Sequence, residues 1–331
     1  MAAVLIKENI KKLLPYFQAL PQQHPFLARF LGILAVLGSA VLWGSEGLPV
    51  RVGCSSGMTP LTLAFYRTLF SSLFLVIVAL GTRQTKVLFP RKNELIACMV
   101  GGFFAVALGG ACAAFAMNVN PIGLSFLLFN TAPFWVMALA RIFWKESITP
   151  FQMTALLIGV AGVWVSVGGV SVGQKYNPLG ILAAMGAGFS YAAYILNGRH
   201  GMGNQDPFKA FVQMFIWGAL FLFVVVIITD NKGSLFPDNV AGWVSVLYLA
   251  LFPSITSFGL LMLALRVLPG SVAAIVSMAE IPFSMFWSRI FLGEIPAPEA
   301  FHGGTLIVTA VILLSLEVQI RRFITAVQNK P

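Results

Sequence analysis

Long apolar runs separated by short polar stretches make up most of the chain, and each run approaches the ~20 residues that carry an α-helix across the hydrocarbon of a bilayer. Read between polar breaks, the runs predict helices over 30–51, 59–80, 95–117, 122–144, 150–171, 178–197, 208–229, 240–265, 271–292 and 298–317. A membrane β-barrel would need alternating strands of about ten residues, and the runs do not alternate. The pattern therefore predicts an all-α membrane protein of ten transmembrane helices.

The pattern also repeats. Leu31 to Ala35 recurs as Leu179 to Ala183, Asn120-Pro121 is matched by Leu268-Pro269, and Arg141-Ile142-Phe143 ahead of Glu146 recurs as Arg289-Ile290-Phe291 ahead of Glu294, every pair 148 residues apart. That register predicts a first five-helix repeat at 30–172 and a second at 178–318, with a segment 1–29 before them and a tail 319–331 after. Because five is odd, the second copy enters the membrane from the opposite side. The expected architecture is two inverted five-helix repeats, a frame on which secondary carriers rock about a site near the midplane.

Composition agrees: 58% of the 331 residues are hydrophobic and 10% charged, against roughly 25% charged in a soluble domain. The formal charge of +10 is spent on topology, with no soluble stretch long enough for a nucleic-acid-binding module. With the amino terminus in the cytoplasm, sixteen basic residues fall in inner segments and four (Arg51, Lys175, Lys232, Arg289) in outer ones, which puts both termini inside. Residues 1–29 read as a retained interfacial segment, Ile6, Ile10, Leu13 and Leu14 forming one face and Lys7, Lys11 and Lys12 another, closed by Pro15. Cys54, Cys98 and Cys112 suggest packing, with neither a disulfide frame nor a metal site. No cofactor is expected. His24, His200 and His302 stand at or beyond span ends without a nucleophile, base and orienter set, which argues against an intramembrane enzyme. A channel would show polar rings along a path.

Motifs along the runs carry a family likeness. Trp43-Gly44-Ser45 lies in the first predicted helix, Phe65-Tyr66-Arg67 in the second, Asn130 to Pro133 in the fourth, and Glu280-Ile281-Pro282 in the ninth, followed by Gly293-Glu294. In this order they resemble the drug/metabolite transporter superfamily, specifically its ten-helix EamA-type proteins, across residues 30–317. The first copy has Lys145-Glu146 where the family pattern has Gly-Glu, and Arg67 has no counterpart in the seventh helix. The resemblance implies a proton-linked or exchange-driven carrier of small metabolites, often an exporter.

Three ionisable side chains fall inside predicted spans, each costing roughly 2.5 to 3.5 kcal/mol at a helix centre on insertion scales. Glu46 and Arg67 share the outer half by depth, within reach of an ion pair. Such a pair either clamps two helices, or offers Arg67 to a substrate carboxylate and Glu46 to a cationic group or proton. Glu46 near its span end can also snorkel outward. Glu280 lies near the midplane, where it suits a group that takes up and releases a proton, or one that stays protonated and bonds backbone freed by Pro282. Pro133 and Pro282 are expected to kink the fourth and ninth helices beside Asn130 and Glu280, making Asn130 a candidate hydrogen-bonding ligand. Trp43, Tyr66, Tyr191 and Tyr194 match these groups in depth and are candidate pocket walls, though Trp and Tyr also gather at membrane interfaces. Glycines 101, 102, 109, 110, 159, 162, 186 and 188 read as close-packing positions, and Glu146 and Glu294 as helix-boundary residues.

The expectation is a secondary active transporter of a small organic metabolite resembling an amino acid or amine. It is exchanged against protons, in the bacterial inner membrane, with the bilayer as its other partner. An uptake permease or multidrug efflux carrier on the same frame is the alternative.

Overall fold

Proline sets the start of five helices by occupying the first helical position, where its missing N–H breaks no intrahelical bond: Pro25, Pro60, Pro150, Pro178 and Pro207. Side-chain caps reinforce other starts: Thr59 accepts from the Thr62 N–H, Asn177 from those of Leu179 and Gly180, and Asn239 from that of Gly242. The structure is a computed structural model that describes residues 25–119, 125, 128–166, 177–202, 205–229, 236–292, 302–310 and 312–313. The segment 1–24, the tail 319–331, Gly293-Glu294 and both ends of the last predicted helix lie outside the described residues.

In chain order the helices are α1 (Pro25–Gly44), α2 (Gly47–Ser55), α3 (Pro60–Gly81), α4 (Lys92–Gly101), α5 (Gly109–Val119), α6 (Ala132–Trp144), α7 (Pro150–Ser166), α8 (Pro178–Leu196), α9 (Pro207–Thr229), α10 (Val240–Leu249), α11 (Phe258–Ala264), α12 (Gly270–Ser277) and α13 (Glu280–Leu292). π-helical segments Gly102–Leu108 and Ala250–Ser257 join α4 to α5 and α10 to α11, and a third, Asn197–Gly201, extends α8. Among the described residues there is no strand, and seven helical stretches are long and apolar enough to cross a membrane. The α6 and α7 helices are shorter apolar ones.

The 148-residue register reappears in the element boundaries. Lys92–Gly101 corresponds to Val240–Leu249 and Ala132–Trp144 to Glu280–Leu292, residue for residue, and both π segments in the third and eighth predicted helices start at equivalent positions, Gly102 and Ala250. Packing is reciprocal. The α8 helix lies against α5 and α6 as α1 lies against α11 and α13; α9 contacts α4 and Gly102–Leu108 as α3 contacts α10 and Ala250–Ser257; and α3 and α9 meet each other.

Close approach depends on small residues. A Cβ at Gly44 would fall 2.8 Å from the Ser284 N and 2.9 Å from the Glu280 carbonyl, so α1 meets the backbone of α13 directly. Buried hydroxyls bond backbone carbonyls: Ser71 donates to the Arg67 and Ala250 carbonyls, and Ser39 donates to the Ser257 carbonyl. Fully buried side chains include Tyr194, Ile195, Met202 and Phe215 from the end of α8 to the first half of α9, and every residue of α12 is buried. Large apolar side chains such as Ile77, Ile142, Phe143, Leu182 and Ile228 face outward, as lipid contact requires.

Candidate functional site

Three polar side chains singled out in the sequence lie at interruptions of helices. A turn at Ser45–Glu46 separates α1 from α2, another at Asn130–Thr131 precedes α6, and a third at Met278–Ala279 separates α12 from α13, so Glu280 heads its helix. Pro133 and Pro282 are therefore not kinks within continuous helices. Each stands in the first turn of a helix that begins after a break, where a missing N–H leaves no bond unmade.

A cavity of about 320 Å³ opens between these breaks. Trp43, Glu46, Arg67, Tyr191 and Glu280 line it, along with Phe129, Phe258 and the small residues Ala105, Gly109, Gly110, Ala113, Ala114 and Ala187. Exposed Gly47 and Arg51, with Cys54 and Pro60, continue the lining to the end of the bundle that carries α2.

Arg67 Nη1 donates to Glu46 Oε1, and the two side chains are 16% and 28% exposed, a half-shielded pair in the cavity wall. Glu280 is 6% exposed, and Asn130 Nδ2 donates to its Oε1 at 3.3 Å. Asn130 thus reaches the cavity through Glu280 and is not itself part of the lining. Trp43 Nε1 donates to the Pro253 carbonyl at 3.0 Å, inside the π segment Ala250–Ser257, where i→i+5 geometry and a proline leave carbonyls for other partners. Tyr191 donates to Ser277 Oγ at 2.9 Å, and its ring meets Trp43 edge to face at 5.6 Å.

The remaining expected residues sit elsewhere. Tyr66 packs among Phe65, Phe70, Phe236 and Trp243, away from the cavity. Tyr194 is fully buried and donates to the Phe258 carbonyl at 3.1 Å. Phe129, Phe258 and the Gly110/Ala113/Ala114 face of α5 were missed. Their i, i+3, i+4 spacing was visible, but it is equally the signature of helix packing. Gly109 packs against α8, its Cβ position 3.5 Å from the Ser190 Cβ, whereas a Cβ on Gly110 would meet no atom within 4 Å among the described residues. Among the described residues Gly110 is therefore not a close-packing position.

The opposite end is closed by polar contacts. Glu146 is more than a helix-boundary residue: Arg199 Nε donates to its Oε1 at 3.3 Å and His200 Nε2 lies 3.0 Å from the same oxygen. Arg199 Nη1 also donates to the Leu268 carbonyl at 2.7 Å, Trp144 stacks on His200 at 4.3 Å, and Arg266 Nη2 donates to the Met202 and Gln205 carbonyls. Lys209 donates to Glu94 at 2.6 Å nearby. Among the described residues no three His, Cys, Asp or Glu side chains gather as a metal would need. The cavity combines a carboxylate–guanidinium pair, a second carboxyl group and aromatic walls, an arrangement suited to holding a small amphipathic solute.

Comparison with known proteins agrees with this picture. The profile described as the EamA-like transporter family matches residues 30–168 and again residues 178–316. The uncharacterized transporter YdfC of Bacillus subtilis (strain 168) is 25% identical over 277 residues, covering 84% of this chain and 88% of that protein. A probable amino-acid metabolite efflux pump of Escherichia coli (strain K12) is 25% identical over 247 residues, 71% of this chain and 77% of its own length. One solved crystal structure superposes with a TM-score of 0.73 at 17% identity, covering 87% of this chain and 97% of that one, a likeness of fold.

Proposed function

Since the chain belongs to the EamA-like transporter family of the drug/metabolite transporter superfamily, we propose that this multi-pass membrane transporter carries a small zwitterion or amine, of amino-acid character, by alternating access. The observation that carries the reading is the convergence of Glu46, Arg67 and Glu280 on one cavity with largely apolar and aromatic walls. A guanidinium and carboxylates at low effective dielectric favour a solute bearing opposite charges, because each unpaired charge there is expensive. Arg67 receives the solute carboxylate, Glu46 its ammonium, and Glu280 takes up and releases the coupled proton.

The frame we propose is ten transmembrane helices in two inverted five-helix repeats, the first over 30–172 and the second over 178–318. Two family matches 148 residues apart, equal element boundaries at that spacing and reciprocal packing support it. The basic residues weighted to one side support cytoplasmic termini in a bacterial inner membrane. In that orientation the cavity opens outward and the Glu146–Arg199–His200 contacts close the inner end. Rocking the halves exchanges the open and closed ends. Export is the direction in keeping with the efflux pump named among the relatives.

The test is a proteoliposome counterflow screen of amino acids, amines and lipophilic cations under an imposed pH gradient, with and without Glu280→Gln. Saturable, gradient-sensitive counterflow of zwitterions or amines is expected. Transport confined to lipophilic cations would make the chain a multidrug carrier instead.

A further inference from the structure

Four cavity residues have counterparts, 148 positions away, that form an aromatic cluster. Gly110 corresponds to Phe258, Tyr191 to Trp43, Glu46 to Tyr194 and Arg67 to Phe215. The Phe258 ring packs against Trp43 at 5.2 Å, Tyr194 at 5.2 Å and Phe215 at 6.0 Å, filling its surroundings. Tyr194 and Phe215 are 0% and 1% exposed.

At the position equivalent to Phe258 no ring is present, and of its three aromatic neighbours only the Trp43 counterpart, Tyr191, is aromatic. Gly110, Tyr191, Glu46 and Arg67 all line the cavity, and a Cβ on Gly110 would project into open space among the described residues. The aromatic neighbours Tyr194 and Phe215 are replaced there by a carboxylate and a guanidinium. Protein interiors are packed to near-crystalline density, so a ring-sized apolar space beside paired charges marks where another molecule's apolar group belongs. Ala113 and Ala114, three and four residues on, continue the same open helix face, and Phe129 and Tyr191 present rings to it.

We infer that Gly110 sets the size limit of the transported solute: the substrate brings an apolar side chain of about benzyl bulk into the space that Phe258 fills in the other repeat, with its charged head on Glu46 and Arg67. The inference rests on the proposed zwitterion or amine carrier and adds the side-chain class to it.

The experiment is inhibition of counterflow by glycine, alanine, valine, leucine and phenylalanine. The full chain in proteoliposomes is compared with Gly110→Ala, Gly110→Leu and Gly110→Phe, using as tracer the panel member wild type moves fastest. Wild type should be inhibited more strongly as side-chain bulk rises. Gly110→Leu should weaken inhibition by phenylalanine about tenfold or more and that by alanine by less than about twofold, with Gly110→Ala between. Melting of each variant identifies any that misfolds, and Gly110→Ala, whose added methyl meets open space, carries the test if the larger substitutions fail. An unchanged order of inhibition in well-folded variants overturns the inference. Wild type that moves zwitterions without preference for bulk overturns it while leaving the proposed function standing, and wild type that moves none of the panel overturns both.

Discussion

Removing both charges of the Glu46–Arg67 pair separates its two roles, a clamp between helices and a receptor for solute. With exposures of 28% and 16%, the pair lies between a surface ion pair, contributing ~0.2–1 kcal/mol, and a buried one whose broken partner costs ~3–5 kcal/mol. Arg67→Ala, which strands the carboxylate, should therefore destabilise by about 2 kcal/mol. The double variant Glu46→Gln with Arg67→Gln leaves no unpaired ion, so its loss should be about 1 kcal/mol or less. Transport should respond in the opposite order. Losing two charge-assisted bonds to a zwitterion, each ~1.5–3 kcal/mol, should cut kcat/KM of the double variant by about a hundredfold or more. Melting of purified protein reads the first quantity and counterflow in proteoliposomes the second. A double variant that transports like wild type would remove the pair from the substrate site, and a lowered melting temperature beside that unchanged transport would leave it as a helix clamp.

Further outcomes follow from the same geometry. Glu280→Gln keeps a hydrogen-bonding group beside Asn130 and should abolish the response of transport to a pH gradient in proteoliposomes; a response equal to wild type would confine Glu280 to bonding its neighbours. Gly44→Ala should lower stability by about 1–3 kcal/mol, because its Cβ meets backbone atoms of Glu280, Phe283 and Ser284 that cannot rotate away; an unchanged melting curve would contradict that approach. Glu146→Gln should loosen the closed end, since it removes the charge that holds Arg199 and His200. Maleimide labelling of Cys98, fully buried beside Gln205 at that end, should then rise several-fold with Cys54 and Cys112 replaced by Ser, and equal labelling would mean these contacts do not gate access.

Much of the fold was legible because hydropathy and helix length are local properties. The predicted span 59–80 is α3, Pro60–Gly81, and 208–229 is α9, Pro207–Thr229, both opened by proline. The breaks at Ser45–Glu46, Asn130–Thr131 and Met278–Ala279 were not legible, because apolar residues continue on both sides of each. What holds two of them is distant in sequence: the Gly44 contact with α13 and the Asn130–Glu280 bond. Glu146 shows the same limit, its partners Arg199 and His200 lying beyond two further helices, α7 and α8.

By itself the sequence determined depth: a rise of ~1.5 Å per residue puts Glu46, Arg67, Glu280 and the aromatic residues at levels that a count of residues can assign. Only the tertiary structure decided azimuth. Successive residues turn ~100° about a helix axis, so Arg67 faces the cavity while adjacent Tyr66 faces Phe236 and Trp243, and Tyr191 lines the site while Tyr194, its near match in depth, is sealed behind Phe258. Which face of a helix meets its neighbours is settled by how side chains from distant parts of the chain interlock. Composition and periodicity along one helix carry too little of that information.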